Sequence, residues 1–249
     1  MCVFLLLTIQ FIQLRFSKSS YQHTQMAHYE GEKFFGLNFD EYKGKIPYIV
    51  SDLIAKLDEL QAEEFEGIFR KSGLRTTIDE LCQVLDENRI KEWEPKFLDL
   101  NVIACALKRF ISNLSYFDPL IDDNMEIKLK DAFSDEETKI EKYREVFKNC
   151  NNPSKRRTNA YLLKYFNKIA SHSDKNLMTA KNLAIILFLP FFPFVGQQIK
   201  DENKQILEDL ILRSDEVFID DEFQNLSSYF MTDEDISSVE FKSHCCILI

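Results

Sequence analysis

The chain places no glycine between Leu74 and Val195, and that gap constrains the fold more than any other feature of the sequence. Glycine supplies left-handed turns and close backbone approaches, so a stretch this long without one has no conformational need for them. Prolines at 47, 95, 119, 153, 190 and 193 punctuate apolar stretches that follow the helical repeat. No alternating strand or Asn-Gly hairpin stands out. The expected fold class is all-α.

The helices can be placed from their apolar stripes. After Pro47 at a first-turn position, Ile49, Val50, Leu53, Ile54, Leu57 and Leu60 share one face. That helix leads into Glu66-Gly67-Ile68-Phe69-Arg70-Lys71-Ser72-Gly73, which brackets one arginine with two of only six glycines. Beyond it, Thr77 and Glu80 have capping-box spacing ahead of Ile78, Leu81 and Leu85. Asp99 is placed to cap a helix whose Ile103, Ala106, Leu107, Phe110 and Leu114 point one way, with Lys108 at the stripe's edge. Further helices are expected near 136–149, 156–171, 179–189 and 202–213.

Three residues stand out as candidates for chemistry or binding. A permanently charged planar donor on a glycine-bracketed loop, Arg70, suits the charge that develops on a transferring phosphoryl group; the plain alternative is a surface arginine in a turn. Lys108 can lay its stem over the core and leave its ammonium in water, or contact a partner. Asn182 stands just before a run so apolar that its helix is expected to be buried on most sides, and Thr179 is the plausible cap there.

Composition narrows the class. The 249 residues are 45% hydrophobic, enough for one sizeable core. A net charge of −10 argues against a protein that coats nucleic acid, although local basic patches are compatible with it. The six cysteines (Cys2, Cys82, Cys105, Cys150, Cys245, Cys246) form no CxxC and read as free thiols in a reducing, cytoplasmic compartment. His23, His28, His172 and His244 are too dispersed to suggest a metal site. There is no Gly-x-x-x-x-Gly-Lys-Ser/Thr loop for binding GTP.

Four segments, in order, carry a resemblance to a known family. Gly67-Ile68-Phe69-Arg70-Lys71-Ser72-Gly73 resembles the arginine-finger loop of Rho-type GTPase-activating (RhoGAP) domains. Gly44-Lys45-Ile46-Pro47-Tyr48-Ile49-Val50 is similar to the family's "IP.iv" helix start, and Val102-Ile103-Ala104-Cys105-Ala106-Leu107-Lys108-Arg109-Phe110-Ile111 to its "LK.FL" helix. Asn176-Leu177-Met178-Thr179-Ala180-Lys181-Asn182-Leu183-Ala184 resembles "N.MT..NLA". The similarity spans about residues 34–230, leaving 1–33 as an N-terminal extension and 231–249 as an acidic C-terminal tail.

The resemblance implies a RhoGAP-like multi-helix domain, with the arginine loop between two helices, that activates a Rho-family small GTPase in its GTP-bound state. Arg70 would supply a catalytic arginine in trans, and Lys108 and Asn182 would contact the partner; Asn176 serves a structural loop hydrogen bond at least as well. No cofactor of its own is implied, since Mg²⁺ and GTP belong to the partner. A non-catalytic module that binds or scaffolds such GTPases is the other reading.

Three departures bear on this expectation. Four residues after the family lysine, where an arginine usually steadies the finger loop, this chain has Ser112. The family's "LPEPL" becomes Leu114-Ser115-Tyr116-Phe117-Asp118-Pro119-Leu120, lengthened by two residues, and the usual "GPN" is replaced in Leu187-Phe188-Leu189-Pro190-Phe191-Phe192. Weaker loop support is the expected consequence of Ser112.

Both ends carry weak signals. Residues 2–14 are apolar but too short and interrupted to span a bilayer, and no basic residue precedes the run. A non-native start, with Met26 as the true one, and a disordered or membrane-facing segment both stay open. Cys246-Ile247-Leu248-Ile249 has the C-a-a-X form, with geranylgeranylation the nearest expectation and Cys245 a second lipid site; an unmodified disordered tail is the alternative. Residues 233–240 are acidic and offer no polybasic partner, so peripheral membrane association is expected only with a lipid on Cys246.

Overall fold

The computed structural model describes residues 34–87, 89–192 and 201–239. The expectations for residues 2–14, for Met26 and for Cys245 and Cys246 lie outside them. The described residues are helical, and their only β-type pairing is an isolated bridge between Ile46 and Phe230.

Helix α1 (Tyr48–Glu59) follows Pro47, whose fixed φ suits a helix start, and buries Ile49, Val50, Leu53, Ile54 and Leu57 as the stripe predicts. Helix α2 (Arg75–Glu87) begins three residues earlier than a Thr77 cap requires. Its first helical bond runs from Ile78 N–H to Leu74 C=O at 3.0 Å, so Thr77 lies inside the first turn and the capping-box expectation fails. Helix α3 (Leu100–Phe117) is capped as expected, with the Asp99 carboxylate accepting from Asn101 N–H at 2.8 Å. Its stripe of Ile103, Ala106, Leu107, Phe110 and Leu114 is buried and forms the centre of the core, packed by α1 and α2.

Helix α4 (Asp123–Phe133) has no counterpart among the sequence expectations, whereas α5 (Lys139–Lys148) and α6 (Pro153–Ser171) fall near their expected places. The short α7 (Ser173–Asn176) turns the chain into α8 (Ala180–Phe191), where Thr179 Oγ1 accepts from Asn182 N–H at 3.2 Å as its cap. Helix α8 packs on α3 and on α9 (Asp201–Leu212), and α6 closes the core against α8 and α9. Two short helices follow, α10 (Ser214–Val217) and α11 (Asp233–Ser237).

The packed chain extends past the Phe230 boundary suggested by the motifs. Met231, Ile236 and Val239 are buried, and Arg89 forms two hydrogen bonds to Asp52, at 2.7 and 2.6 Å, while lying 3.7 Å from Asp233. Ile46 N–H reaches Tyr229 C=O at 2.8 Å, so the segment before α1 and the segment after α10 meet. No helix among the described residues is long and apolar enough to cross a membrane. Cys105 and Cys150 are free thiols.

Candidate functional site

The arginine loop lies between α1 and α2 and is shaped by two left-handed residues. Gly67 has φ +76°, a conformation in which a side chain would be strained. Phe69 has φ +66°, which a bulky residue rarely adopts and which costs about 1–2 kcal/mol. Its ring is fully buried against Phe166 (centroids 5.2 Å apart) and Tyr165 (6.3 Å), and burying such a side chain contributes about 1.5–3 kcal/mol. Burial therefore outweighs the strain. Ile68 is buried as well, while Arg70 and Lys71 turn to solvent with their amides bonded to Gly67 C=O at 3.0 and 2.9 Å.

The loop is tied to the rest of the fold at four further points. Lys108, projecting from α3, donates to Phe69 C=O at 2.6 Å. Cys105, one turn earlier, brings Sγ to 3.9 Å from Lys71 C=O. Gly67 N–H donates to Asn176 C=O at 2.8 Å. At the far end Gly73 lies so close to α3 that an added Cβ would meet Val102 Cγ2 at 2.6 Å and its backbone nitrogen at 2.7 Å. Glycine is thus required at 67 by conformation and at 73 by space.

Lys108 is expected from the resemblance to face a partner. In the free chain it is half-buried and bonded to the loop carbonyl just before Arg70. Among the described residues, no hydrogen bond joins the side chain of Ser112, one turn further along α3, to the loop; its carbonyl accepts from Ser115 Oγ at 2.6 Å. The loop is held by Lys108 and by the buried Ile68 and Phe69.

Asn182 sits at the start of α8, half-exposed. Its Nδ2 donates to Leu177 C=O at 3.1 Å, and Leu177 is left-handed at φ +61°. Among the described residues no hydrogen bond engages Asn182 Oδ1, so the residue caps its own corner and keeps an acceptor free. The α8 helix is less enclosed than its composition suggests: Ile185 and Leu189 are each about half exposed, on the face that Asn182 begins. The Asn176 carbonyl joins this corner to the arginine loop.

Electrostatics separate Arg70 from its neighbours. Among the described residues every other arginine has an acidic partner within 4.0 Å, including Arg75 and Arg109 with Asp79. Arg70 has none. Lys71 pairs with Glu66 at 3.2 Å, an exposed contact worth under about 1 kcal/mol. Below the loop, Lys168 reaches Asp58 at 2.9 Å and Glu63 at 3.2 Å. Burial pulls the Glu63 carboxyl upward, but its own backbone amide and Lys168 outweigh this and hold it below its ordinary value of 4.5.

The site lies on an exposed surface. A cavity of about 190 Å³ beside Asp122, Lys128 and Lys155 and one of about 230 Å³ beside Asn167, Thr179 and Leu212 include none of Arg70, Lys108 and Asn182. No group of His, Cys, Asp or Glu among the described residues is arranged to hold a metal ion. A free guanidinium held out by a fixed backbone is a donor for an anion brought by another molecule.

The RhoGAP domain family matches residues 47–193, which contain Arg70, Lys108 and Asn182. Rho GTPase-activating protein 35 of Canis lupus familiaris is 33% identical over 122 residues, 48% of this chain and 8% of that protein. Rho GTPase-activating protein 23 of Mus musculus is 28% identical over 213 residues, 76% of this chain and 13% of that protein. The chain therefore spans a small part of the length of these relatives. In fold it resembles the crystal structure of human Rho GTPase activating protein 15, with a TM-score of 0.68 at 22% identity, covering 76% of this chain and 93% of that one. The all-α arrangement, the glycine-bracketed arginine loop and the match over residues 47–193 together make this chain a member of the RhoGAP domain family.

Proposed function

We propose that this chain binds the GTP-bound form of a Rho-family small GTPase and accelerates hydrolysis by inserting Arg70 next to the transferring phosphoryl group. The observation that carries this reading is the state of Arg70. It is exposed, has no acidic partner among the described residues, and rides on a backbone fixed by buried Phe69, by Lys108 and by Asn176. Its guanidinium can move to an anion without first breaking an ion pair, and the loop needs little ordering when it does.

The chemistry is electrostatic. Negative charge on the transferring group and the leaving oxygen increases in the transition state, and a planar donor placed there stabilises it more than the ground state. Mg²⁺ and nucleotide are supplied by the partner, whose own residues orient the attacking water. Asn182, with its free Oδ1, is assigned to the partner's switch surface. Lys108 is assigned first to the loop, through Phe69 C=O, with its remaining ammonium hydrogens available at the interface.

A non-catalytic GTPase-binding module is the second reading, favoured by Ser112 in place of the family's arginine. Single-turnover GTP hydrolysis by Rho, Rac and Ras-type GTPases, with and without the chain, separates the two. Acceleration confined to Rho-family members supports activation, binding without acceleration supports the second reading, and neither effect with any Rho-family member rejects both.

A further inference from the structure

Asn176 ends α7 and is completely buried, and its whole polar inventory is engaged. Nδ2 donates to Glu63 C=O and to Ile169 C=O, each at 2.8 Å, and Oδ1 accepts from Met178 N–H at 2.7 Å. The backbone carbonyl accepts from Gly67 N–H at 2.8 Å, and the backbone amide donates to His172 C=O at 3.1 Å. Removing this side-chain amide would leave Glu63 C=O and Met178 N–H without partners in a site closed to water, while Ile169 C=O keeps the His172 N–H at 3.2 Å.

Four of these bonds fall into two pairs with different targets. Ile169 and Met178 lie on either side of the α6–α8 corner, and bonds to them are what any buried corner asparagine would make. Glu63 and Gly67 are over a hundred residues away in sequence, four residues apart, and straddle the start of the arginine loop. Gly67 is the left-handed residue on which the loop turns, and its carbonyl in turn accepts the amides of Arg70 and Lys71. The same corner carries Leu177 C=O, which holds the Asn182 amide. One buried residue thus fixes the loop that carries Arg70 to the corner that carries Asn182, by its side chain at Glu63 and by its backbone carbonyl at Gly67.

We propose that Asn176 is a positioning residue that sets Arg70 against the Asn182 surface through Glu63 and Gly67, without touching the partner. The proposal rests on the reading of Arg70 given above. Its effect belongs in the rate at saturation, because a shift of about 1 Å in a catalytic group can cost on the order of a hundredfold while the binding surface stays largely intact.

Asn176→Ser tests it, because serine retains one hydroxyl but cannot reach all three backbone groups. The expected result is a saturating single-turnover rate lowered by about tenfold or more. The concentration for half-saturation should stay within about threefold, equivalent to under 1 kcal/mol. Hydrogen exchange of the full chain should show faster exchange at the Gly67 amide, while the Leu107 amide on α3 keeps its protection. An unchanged plateau, or a Gly67 amide indifferent to the substitution, overturns the proposal. If the wild type accelerates no GTPase, the functional reading fails, and the exchange arm still decides whether Asn176 holds Gly67. Should Asn176→Ser not fold, the wild-type exchange pattern serves: Gly67 must be protected relative to exposed Ser72, and equal rates sink the clamp.

Discussion

Lys108 donates to the carbonyl oxygen of Phe69 at 2.6 Å, so the residue immediately before Arg70 is fastened to the central helix by a charged hydrogen bond. The bond crosses 39 positions of sequence and depends on the left-handed turn at Phe69, which aims that carbonyl at α3. It assigns Lys108 a part in loop geometry that partner contact alone would not require.

Lys108→Ala is accordingly expected to lower the saturating hydrolysis rate by about tenfold, the equivalent of one charge-assisted hydrogen bond. Titrating the activator distinguishes this from pure partner binding. A rate defect that disappears at saturation would place Lys108 at the interface only.

Gly73→Ala should destabilise the fold by about 1–3 kcal/mol, the usual cost of overpacking, because the new methyl collides with Val102. Adding Val102→Ala relieves the side-chain clash but not the one with the backbone nitrogen, so rescue should be partial. Urea unfolding of the wild type and the two variants measures this, and an undiminished midpoint for Gly73→Ala would contradict the close approach.

Ser112→Arg probes the residue at which the chain departs from its family. With Phe69 buried, Lys108 on its carbonyl and Gly67 held by Asn176, the loop is already constrained, and the saturating rate should stay within about twofold of wild type. A rise of about tenfold or more would mean that the wild-type loop is loose and that serine leaves catalytic power unused.

Much of the helical framework could be read from the sequence, because α1 and α3 each repeat apolar residues at helical spacing and bury them on one face. Helix α4 could not. Met125, Ile127 and Leu129 alternate with charged residues, a strand-like period, and Ile127 turns out to be 69% exposed, leaving Met125, Leu129 and Ala132 to anchor the helix. The loop motif located Arg70, but its isolation from acidic partners depends on where every neighbouring carboxylate folds. Asn176 was legible as a motif residue suited to a structural loop hydrogen bond, without its targets. Its reach to Glu63 and Gly67 comes from tertiary packing, as does the space that excludes a side chain at Gly73.

The Glu63 carboxyl offers a pH test of the ground beneath the loop. Its folded pKa lies below its ordinary value, so its contribution to stability is present above about pH 4.5 and is lost as pH falls through the lower folded value. Lys168→Ala removes part of what holds it down, so the NMR-observed Glu63 titration should move upward. The stability gap between wild type and variant should narrow as the solution is acidified below pH 4.5. A titration unmoved by the substitution would show that Lys168 is not paired with Glu63 in solution.

The most direct measurement is the saturating single-turnover GTP hydrolysis rate of a responsive Rho-family GTPase with wild type, Arg70→Ala and Arg70→Lys, alongside their affinities for the GTP-bound partner. The proposed role of Arg70 predicts a loss of about a thousandfold or more in acceleration for alanine. A loss is also predicted for lysine, whose point charge cannot reproduce the guanidinium fork. Affinity should remain largely intact and saturation should bring no rescue. Near-normal turnover by Arg70→Ala would contradict that role and leave the exposed arginine as an ordinary surface residue.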